Sequence, residues 1–232
     1  MIDGGILVNK PKDWTSHDVV AKLRNHFRLE KVGHCGTLDP MATGLLLIVI
    51  GKATKLSNVL MGSDKRYKGE FTLGIETNSY DAEGETVKEE LVPPFSDEEI
   101  HSVFKTFVGD QYQVPPMVSA VKLNGQPLYK MARKGEVVER EPRFIHVYHF
   151  SATKIELPKI EFDFTATKGT YVRSVAHDLG VKLGCGAHLS RLERAEIGRF
   201  KIDQALALED FLQLTTEGFK NRVIPLHELT MK

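Results

Sequence analysis

Gly33-His34-Cys35-Gly36-Thr37-Leu38-Asp39-Pro40-Met41-Ala42-Thr43-Gly44 runs straight into residues 45–50, the most apolar stretch of the chain. A short unbroken apolar run closed by Gly51 reads as a buried strand. The twelve residues before it hold three glycines and one proline, so they form an irregular loop. Asp39 precedes Pro40, which pushes its backbone towards extended conformations. The flanking glycines permit dihedrals closed to other residues and let a ligand approach the main chain. A carboxylate held open in front of a buried strand is well placed to do chemistry. Its plain alternative is a turn initiated by Asp-Pro.

Outward from this loop, Ser16 caps a predicted helix whose apolar positions Val19, Val20, Leu23 and Phe27 fall at helical spacing. Residues 53–60 read as a short helix. Residues 65–74 alternate, with Tyr67, Gly69, Phe71 and Leu73 on one face, as in a half-buried strand. Ser96-Asp97-Glu98-Glu99 is a capping box that opens a helix through Ile100, Val103, Phe104 and Phe107, with Gly109 past its end. Residues 118–123 read as a strand followed by a tight Asn124-Gly125 turn, and residues 143–151 and 160–167 as two more strands. Residues 171–179 carry a helical pattern with Gly180 as its stop, and residues 211–214 sit in a last helix. Strands outnumber helices and follow one another without βαβ alternation. The expected class is α+β, with a mixed, largely antiparallel sheet flanked by helices. No repeat or linker divides residues 1–232, which read as a single domain.

The chain is 41% hydrophobic and 27% charged, a globular balance. No segment approaches the roughly 18 consecutive apolar residues of a membrane span, and no signal peptide is visible. Cys35 and Cys185 lack metal-site spacing, so no metal is expected, and reduced thiols in a cytoplasmic protein are the default. Zero net charge argues against a wholesale polyelectrolyte binder but hides an asymmetry. From 76 to 99, nine acidic residues face one base, Lys88. From 122 to 143, six bases (Lys122, Lys130, Arg133, Lys134, Arg140, Arg143) face three acids. Arg191, Arg194, Arg199 and Lys201 form a later basic group. One basic face suits a protein that grips a phosphate backbone on one side, and solvated surface alone accounts for it equally well.

Two phosphate-binding patterns fail. Gly51-Lys52 ends like a P-loop, but Leu46 and Ala53 stand where a glycine and a hydroxyl are needed. Gly184-Cys185-Gly186 starts a dinucleotide fingerprint that Leu189 breaks.

The loop, by contrast, resembles the catalytic signature of the TruB family of tRNA pseudouridine synthases, G-H-x-G-T-L-D-P-x-A-x-G-x-L. Further blocks follow in family order. Lys10-Pro11 with Thr15-Ser16-His17-Asp18 looks like the opening motif, and Gly51-Lys52-Ala53-Thr54-Lys55 and Lys65-Arg66-Tyr67 match the next two. Val114-Pro115-Pro116-Met117 with Ser119-Ala120 and Lys122 is similar to another, as are Tyr129, Ala132, Arg133 and Gly135. Lys168-Gly169-Thr170-Tyr171-Val172-Arg173 resembles the arginine block, and Gly186-Ala187-His188-Leu189 through Leu192 a final landmark.

The resemblance implies isomerisation of uridine to pseudouridine at position 55, in the T-loop of tRNA, by a pseudouridine synthase-like fold with no cofactor and no metal. The implied partner is the T-arm of tRNA, met by a cytoplasmic monomer that needs no protein partner and no membrane. The family nucleophile is the aspartate of L-D-P, here Asp39. A carboxylate can attack either the sugar carbon C1′ or the base. Arg173 is implied to pair with Asp39, which lowers a carboxylate's pKa by roughly 1–3 units. Tyr67 is implied to stack on the target uracil and to assist removal of the C5 proton. Tyr171 and Leu192 are implied to line the uracil pocket, Lys10 and Lys55 to lie near the site, and His34 to support the flipped-out nucleotide. The residues alone offer plainer readings of each: a core tyrosine, a surface arginine, a core leucine, a satisfied loop histidine.

Some positions depart from the family pattern: Cys35 for threonine, Val118 for an aromatic residue, Glu193 for arginine and Trp14 for a smaller residue. Many bacterial members carry a C-terminal PUA-type domain, and ending at Lys232 leads to the expectation of none here. A noncatalytic RNA-binding or tRNA-folding protein on the same scaffold is the alternative, with an unrelated α+β interaction protein behind it.

Overall fold

In a computed structural model of the protein, residues 2–119, 122–123, 125–128, 131, 135–136 and 138–231 are described. The first elements are β1 (Gly4–Lys10), α1 (Ser16–His26), β2 (Val32–His34), β3 (Thr43–Ile50), α2 (Ser57–Met61) and β4 (Lys65–Leu73). Next come β5 (Ile75–Thr77), β6 (Thr86–Glu89), α3 (Asp97–Lys105), β7 (Gly109–Gln113), β8 (Lys122–Leu123), β9 (Gln126–Pro127), β10 (Arg143–Glu156) and β11 (Lys159–Ala166). The chain continues through α4 (Val172–Leu183), β12 (Ala187–Ile197), β13 (Phe200–Lys201) and β14 (Leu206–Ala207). It closes with α5 (Leu208–Gln213), α6 (Thr216–Asn221), β15 (Ile224–Pro225) and α7 (Leu226–Leu229). Two compact units result: Met1–Tyr67 with Leu192–Lys232, and Lys68–Arg191.

In the first unit β1 and β3 pair antiparallel from Gly4↔Ile50 to Lys10↔Gly44. The end of β12 pairs parallel with β3 through Glu193↔Thr43 and Arg194↔Gly44. Gly44 makes this approach possible: its φ is +103°, and an added Cβ would lie 2.5 Å from the Arg194 carbonyl oxygen. Residues 45–50 are apolar throughout because both faces are covered. Leu46, Ile48 and Ile50 pack with Val19, Val20 and Leu23 of α1 and with Phe211 and Phe219. Leu45, Leu47 and Val49 pack with Cys35, Ala53, Leu60, Phe200 and Leu229. Each such side chain contributes about 1.5–3 kcal/mol on burial.

The second unit holds the β10–β11 antiparallel hairpin, with β7 on the far edge of β10 and β4 beside β11. Its core is aromatic. Phe71 stacks on Phe162 at 4.1 Å between ring centroids, and Phe104 lies 4.2 Å from Phe150. The fold is α+β, with antiparallel pairs predominating over the parallel β1–β14 and β12–β3 pairs.

Several elements differ from the sequence reading. Thr15, not Ser16, caps α1: its hydroxyl accepts from the Asp18 amide, and Asp18 returns a bond to the Thr15 amide. Helix α4 passes through Gly180 and stops at Gly184, whose φ is +76°. Gly180 is needed for contact instead, since a Cβ there would meet the Ala187 amide nitrogen at 2.2 Å. Strand β10 continues to Glu156, beyond the expected end at Ser151. Among the described residues of 118–123, only Lys122–Leu123 is strand, and Asn124, Ala120, Tyr129, Lys130, Ala132, Arg133 and Lys134 lie outside the described residues.

Candidate active site

The loop that carries Asp39 is fastened to the rest of the first unit at successive residues. Ser16 is buried, and its hydroxyl accepts from the Leu38 amide at 2.8 Å and donates to the Leu38 carbonyl at 3.2 Å. The Pro40 carbonyl accepts from the Asp13 amide at 2.9 Å and from the Lys10 ammonium at 3.3 Å. Lys10 is fully buried and also donates to the carbonyls of Pro11 and Trp14, at 2.8 and 2.6 Å. The Asp39 carbonyl closes a turn by accepting from Ala42 at 3.1 Å. Asp39 is thus bracketed by anchored neighbours on both sides, while its own residue stays half-exposed.

Arg194 completes the frame. It is 1% exposed, and its guanidinium donates to the carbonyls of Leu45 (2.8 Å), Thr37 (3.2 Å) and Gly36 (3.0 Å). It also hydrogen-bonds the Tyr67 hydroxyl, and its charge attracts those of Asp39 and of ionisable Tyr67. Burial pushes the guanidinium's pKa down, opposed by Tyr67, Asp39 and Cys35. Arginine nonetheless stays charged in proteins. Burial drives the Tyr67 phenol up, and the negative charge of Asp39 adds to this against the pull of Arg194. The hydroxyl therefore stays protonated at neutral pH. Cys35 is buried and its thiol is pushed up to about 11, an inert group.

His34 ends β2 opposite Ile48, and its buried Nδ1 has no geometrically formed hydrogen bond among the described residues. Burial, with the positive charges of Arg194 and His17, holds its pKa below the usual histidine value. Leu192 is buried on β12, two residues before Arg194, and its carbonyl accepts from the Thr43 hydroxyl at 3.5 Å. Lys55 is exposed on the six-residue 3₁₀ segment Gly51–Leu56.

The second unit places Arg173 in the first turn of α4, 4% exposed. It donates to the carbonyls of Ser79 (3.3 Å) and Val118 (2.9 Å) and forms an ion pair with Asp81 at 3.5 Å. Asp81 is itself buried and accepts from the Ser79 hydroxyl at 2.5 Å and the Glu83 amide at 3.1 Å. A buried pair of this kind holds because the remaining lone pairs are satisfied. Since Arg173 uses the Val118 carbonyl, the departure from an aromatic side chain there leaves this bond intact. Tyr171 precedes α4, and its amide and carbonyl are both held by the side chain of Gln113, at 2.8 and 3.1 Å. Among the described residues, no group of three or more His, Cys, Asp or Glu is gathered to hold a metal ion.

Residues 24–172 match the description "TruB family pseudouridylate synthase (N terminal domain)", and residues 173–229 match "tRNA pseudouridylate synthase B C-terminal domain". The chain is 52% identical over 227 residues to tRNA pseudouridine synthase B of Opitutus terrae, covering 98% of this chain and 94% of that one. It belongs to the TruB family of pseudouridylate synthases. The synthase of Clostridium tetani is 42% identical over 231 residues, 79% of its length. Among solved structures, a Cbf5–Nop10–Gar1 complex gives a TM-score of 0.77 at 30% identity, covering 97% of this chain. An H/ACA ribonucleoprotein bound to a substrate RNA containing 2′-deoxyuridine gives 0.72 at 28%. This TruB-family chain spans about three-fifths of those two chains' length, 61% and 60%.

Two residues of the framework were not singled out from the sequence. Sequence groups Arg194 with Arg191, Arg199 and Lys201 as a basic surface; in the structure of this TruB-family chain it is instead among the most buried side chains of the described residues. Arg191, which pairs with Glu161 at 3.4 Å, Arg199 and Lys201 are all exposed, so the rest of that group faces solvent. Asp81 is one of the nine acids of 76–99, most of which, such as Glu89, Glu98 and Glu99, are exposed, while Glu76 is half-buried.

Proposed function

We propose that this pseudouridine synthase acts at position 55 in the T-loop of tRNA, with Asp39 as the covalent nucleophile. The observation that carries the reading is a half-exposed carboxylate on a loop anchored at Gly36, Thr37, Leu38 and Pro40, beside Arg194 and the Tyr67 hydroxyl. A nucleophile needs fixed geometry more than mobility, because near-attack placement supplies much of the rate.

The reaction breaks N1–C1′ of uridine and joins C5 to C1′. The C5 proton leaves and N1, freed from the sugar, gains one, so the product is an isomer. Asp39 takes up the electron-deficient carbon, C1′ or a base carbon, and is released when the new bond is complete. Tyr67 offers its ring for stacking on the uracil, worth about 1–3 kcal/mol per base. Its hydroxyl oxygen accepts from Arg194 in the free protein, and it becomes a base for the C5 proton only once a bound uracil alters its surroundings. Arg173, held by Asp81, is the guanidinium that the family resemblance assigns to Asp39. Tyr171 and Leu192 line the uracil pocket in this reading, and His34, held neutral by burial, supports the extruded nucleotides. Lys55 is exposed and suited to a phosphate; Lys10 acts through Pro40.

Extrusion of the target from the T-loop costs a few kcal/mol, and recognition rests on loop shape and phosphates. The segment of basic residues from 122 to 143 is the proposed grip. The reading includes a cytoplasmic monomer that acts on the T-arm without a protein partner.

The test is tritium release from an unmodified tRNA transcript labelled at C5 of uridine, with purified protein alone. Wild type releases tritium and forms pseudouridine; Asp39→Asn folds, binds tRNA and forms none. Turnover by Asp39→Asn at the wild-type rate removes the nucleophile, and no turnover by either protein favours the RNA-binding alternative.

A further inference from the structure

A second cluster surrounds the Arg173–Asp81 pair, within the same unit. Tyr80 has φ +65°, a left-handed conformation uncommon and strained for a bulky residue. Its neighbours on either side, the Ser79 carbonyl and the Asp81 carboxylate, are the two groups of this turn that hold Arg173. The Tyr80 ring stacks on His177, with centroids 4.1 Å apart and planes 15° from parallel. His177 lies one helical turn beyond Arg173 on α4, on the same face of the helix. Its Nδ1 is 3.0 Å from a Glu76 carboxylate oxygen, which fixes the imidazole against rotation. Arg140 hydrogen-bonds the Tyr80 hydroxyl.

We propose that Tyr80 and His177 form a stacked clamp, closed over by Arg140, that sets the direction of the Arg173 guanidinium, so that both are positioning residues for the isomerisation. The clamp ties the turn carrying Ser79 and Asp81 to the helix carrying Arg173, so neither can shift without breaking the stack. Left-handed strain at Tyr80 persists because the ring contact holds it. The proposal rests on Arg173 being part of the catalytic machinery.

The test uses substitutions that leave the backbone at ease. Asparagine tolerates the left-handed region, so Tyr80→Asn removes the ring without adding strain. Tyr80→Asn and His177→Ala are expected to lower the single-turnover rate about tenfold or more, with tRNA affinity within about twofold of wild type. Melting temperature stays close to wild type in Tyr80→Asn. His177→Phe restores a ring to stack on and recovers most of the rate, which a loss of general stability would not allow. Rates within about twofold of wild type in Tyr80→Asn and His177→Ala, with Arg173→Lys inactive, overturn the clamp alone. A wild-type rate in Arg173→Lys instead removes Arg173 from the chemistry, and the clamp's purpose with it.

Discussion

Arg194→Lys keeps a positive charge at a position only 1% exposed while removing the fork that reaches Leu45, Thr37 and Gly36. An ammonium has three donors at one point and cannot span carbonyls arranged around a planar guanidinium with the Tyr67 hydroxyl beside them. With two of these bonds lost at about 1.5 kcal/mol each for a charged donor, the destabilisation is about 3 kcal/mol. In a chain of this size each kcal/mol lowers the melting temperature by about 2–4 °C, so the fall is roughly 6–12 °C. Since domains are stable by about 5–15 kcal/mol, the variant stays folded at 25 °C. Gly36 and Thr37 lead directly into Asp39, so the damage extends to chemistry. A displacement near 1 Å costs about a hundredfold in rate. Circular dichroism melting and single-turnover tritium release at saturating enzyme measure the two effects. Melting within about 2 °C of wild type, together with an unchanged rate, would refute the framing role of Arg194.

Ser16→Ala strands the Leu38 amide and carbonyl, at about 1–3 kcal/mol, and should slow turnover while tRNA affinity holds; unchanged melting and rate would remove the anchor. His34 has its pKa lowered by burial, so as pH falls through 6.5 the unfolded chain gains a proton the folded chain does not, and stability drops. His34→Gln should therefore lose less stability in urea denaturation between pH 7.5 and 5.5 than wild type does; an equal or larger loss would contradict that sign. Tyr67→Phe keeps the ring and removes the hydroxyl, so base release should stay near normal with completion blocked. Full activity in Tyr67→Leu would dismiss stacking.

The loop and its strand were legible because their composition encodes local demands. Glycines and Asp-Pro dictate irregular backbone, and an unbroken apolar run dictates two covered faces. The helix start at residues 15–16 was read one position late because threonine and serine are both good caps; what separated them was the distant Leu38, whose amide and carbonyl both bond Ser16. Arg194 illustrates a deeper limit. Its partners Gly36 and Thr37 lie 158 and 157 residues away in sequence, so nothing local announces that an arginine between two glutamates is buried. A weak signal existed: Arg194 lies two residues from Leu192, and in a strand that spacing puts both on one face. The segment has no strict polar–apolar alternation to mark it as a strand, so the signal stays faint. Asp81 was hidden differently, as one acid in a stretch of nine. Charge counting treats such residues as equivalent, whereas folding separates them by desolvation. An aspartate inside the protein without a cation costs several kcal/mol, so its burial implies a partner, and Arg173 at 3.5 Å is that partner. The same reasoning links Arg194 to the loop of Asp39. In both units a buried arginine is bound by carbonyls of a turn that has no regular secondary structure to hold it. The motifs display the two arginines' neighbours in sequence, but what the arginines do structurally, fixing irregular backbone, becomes visible only when the carbonyls they bind are known.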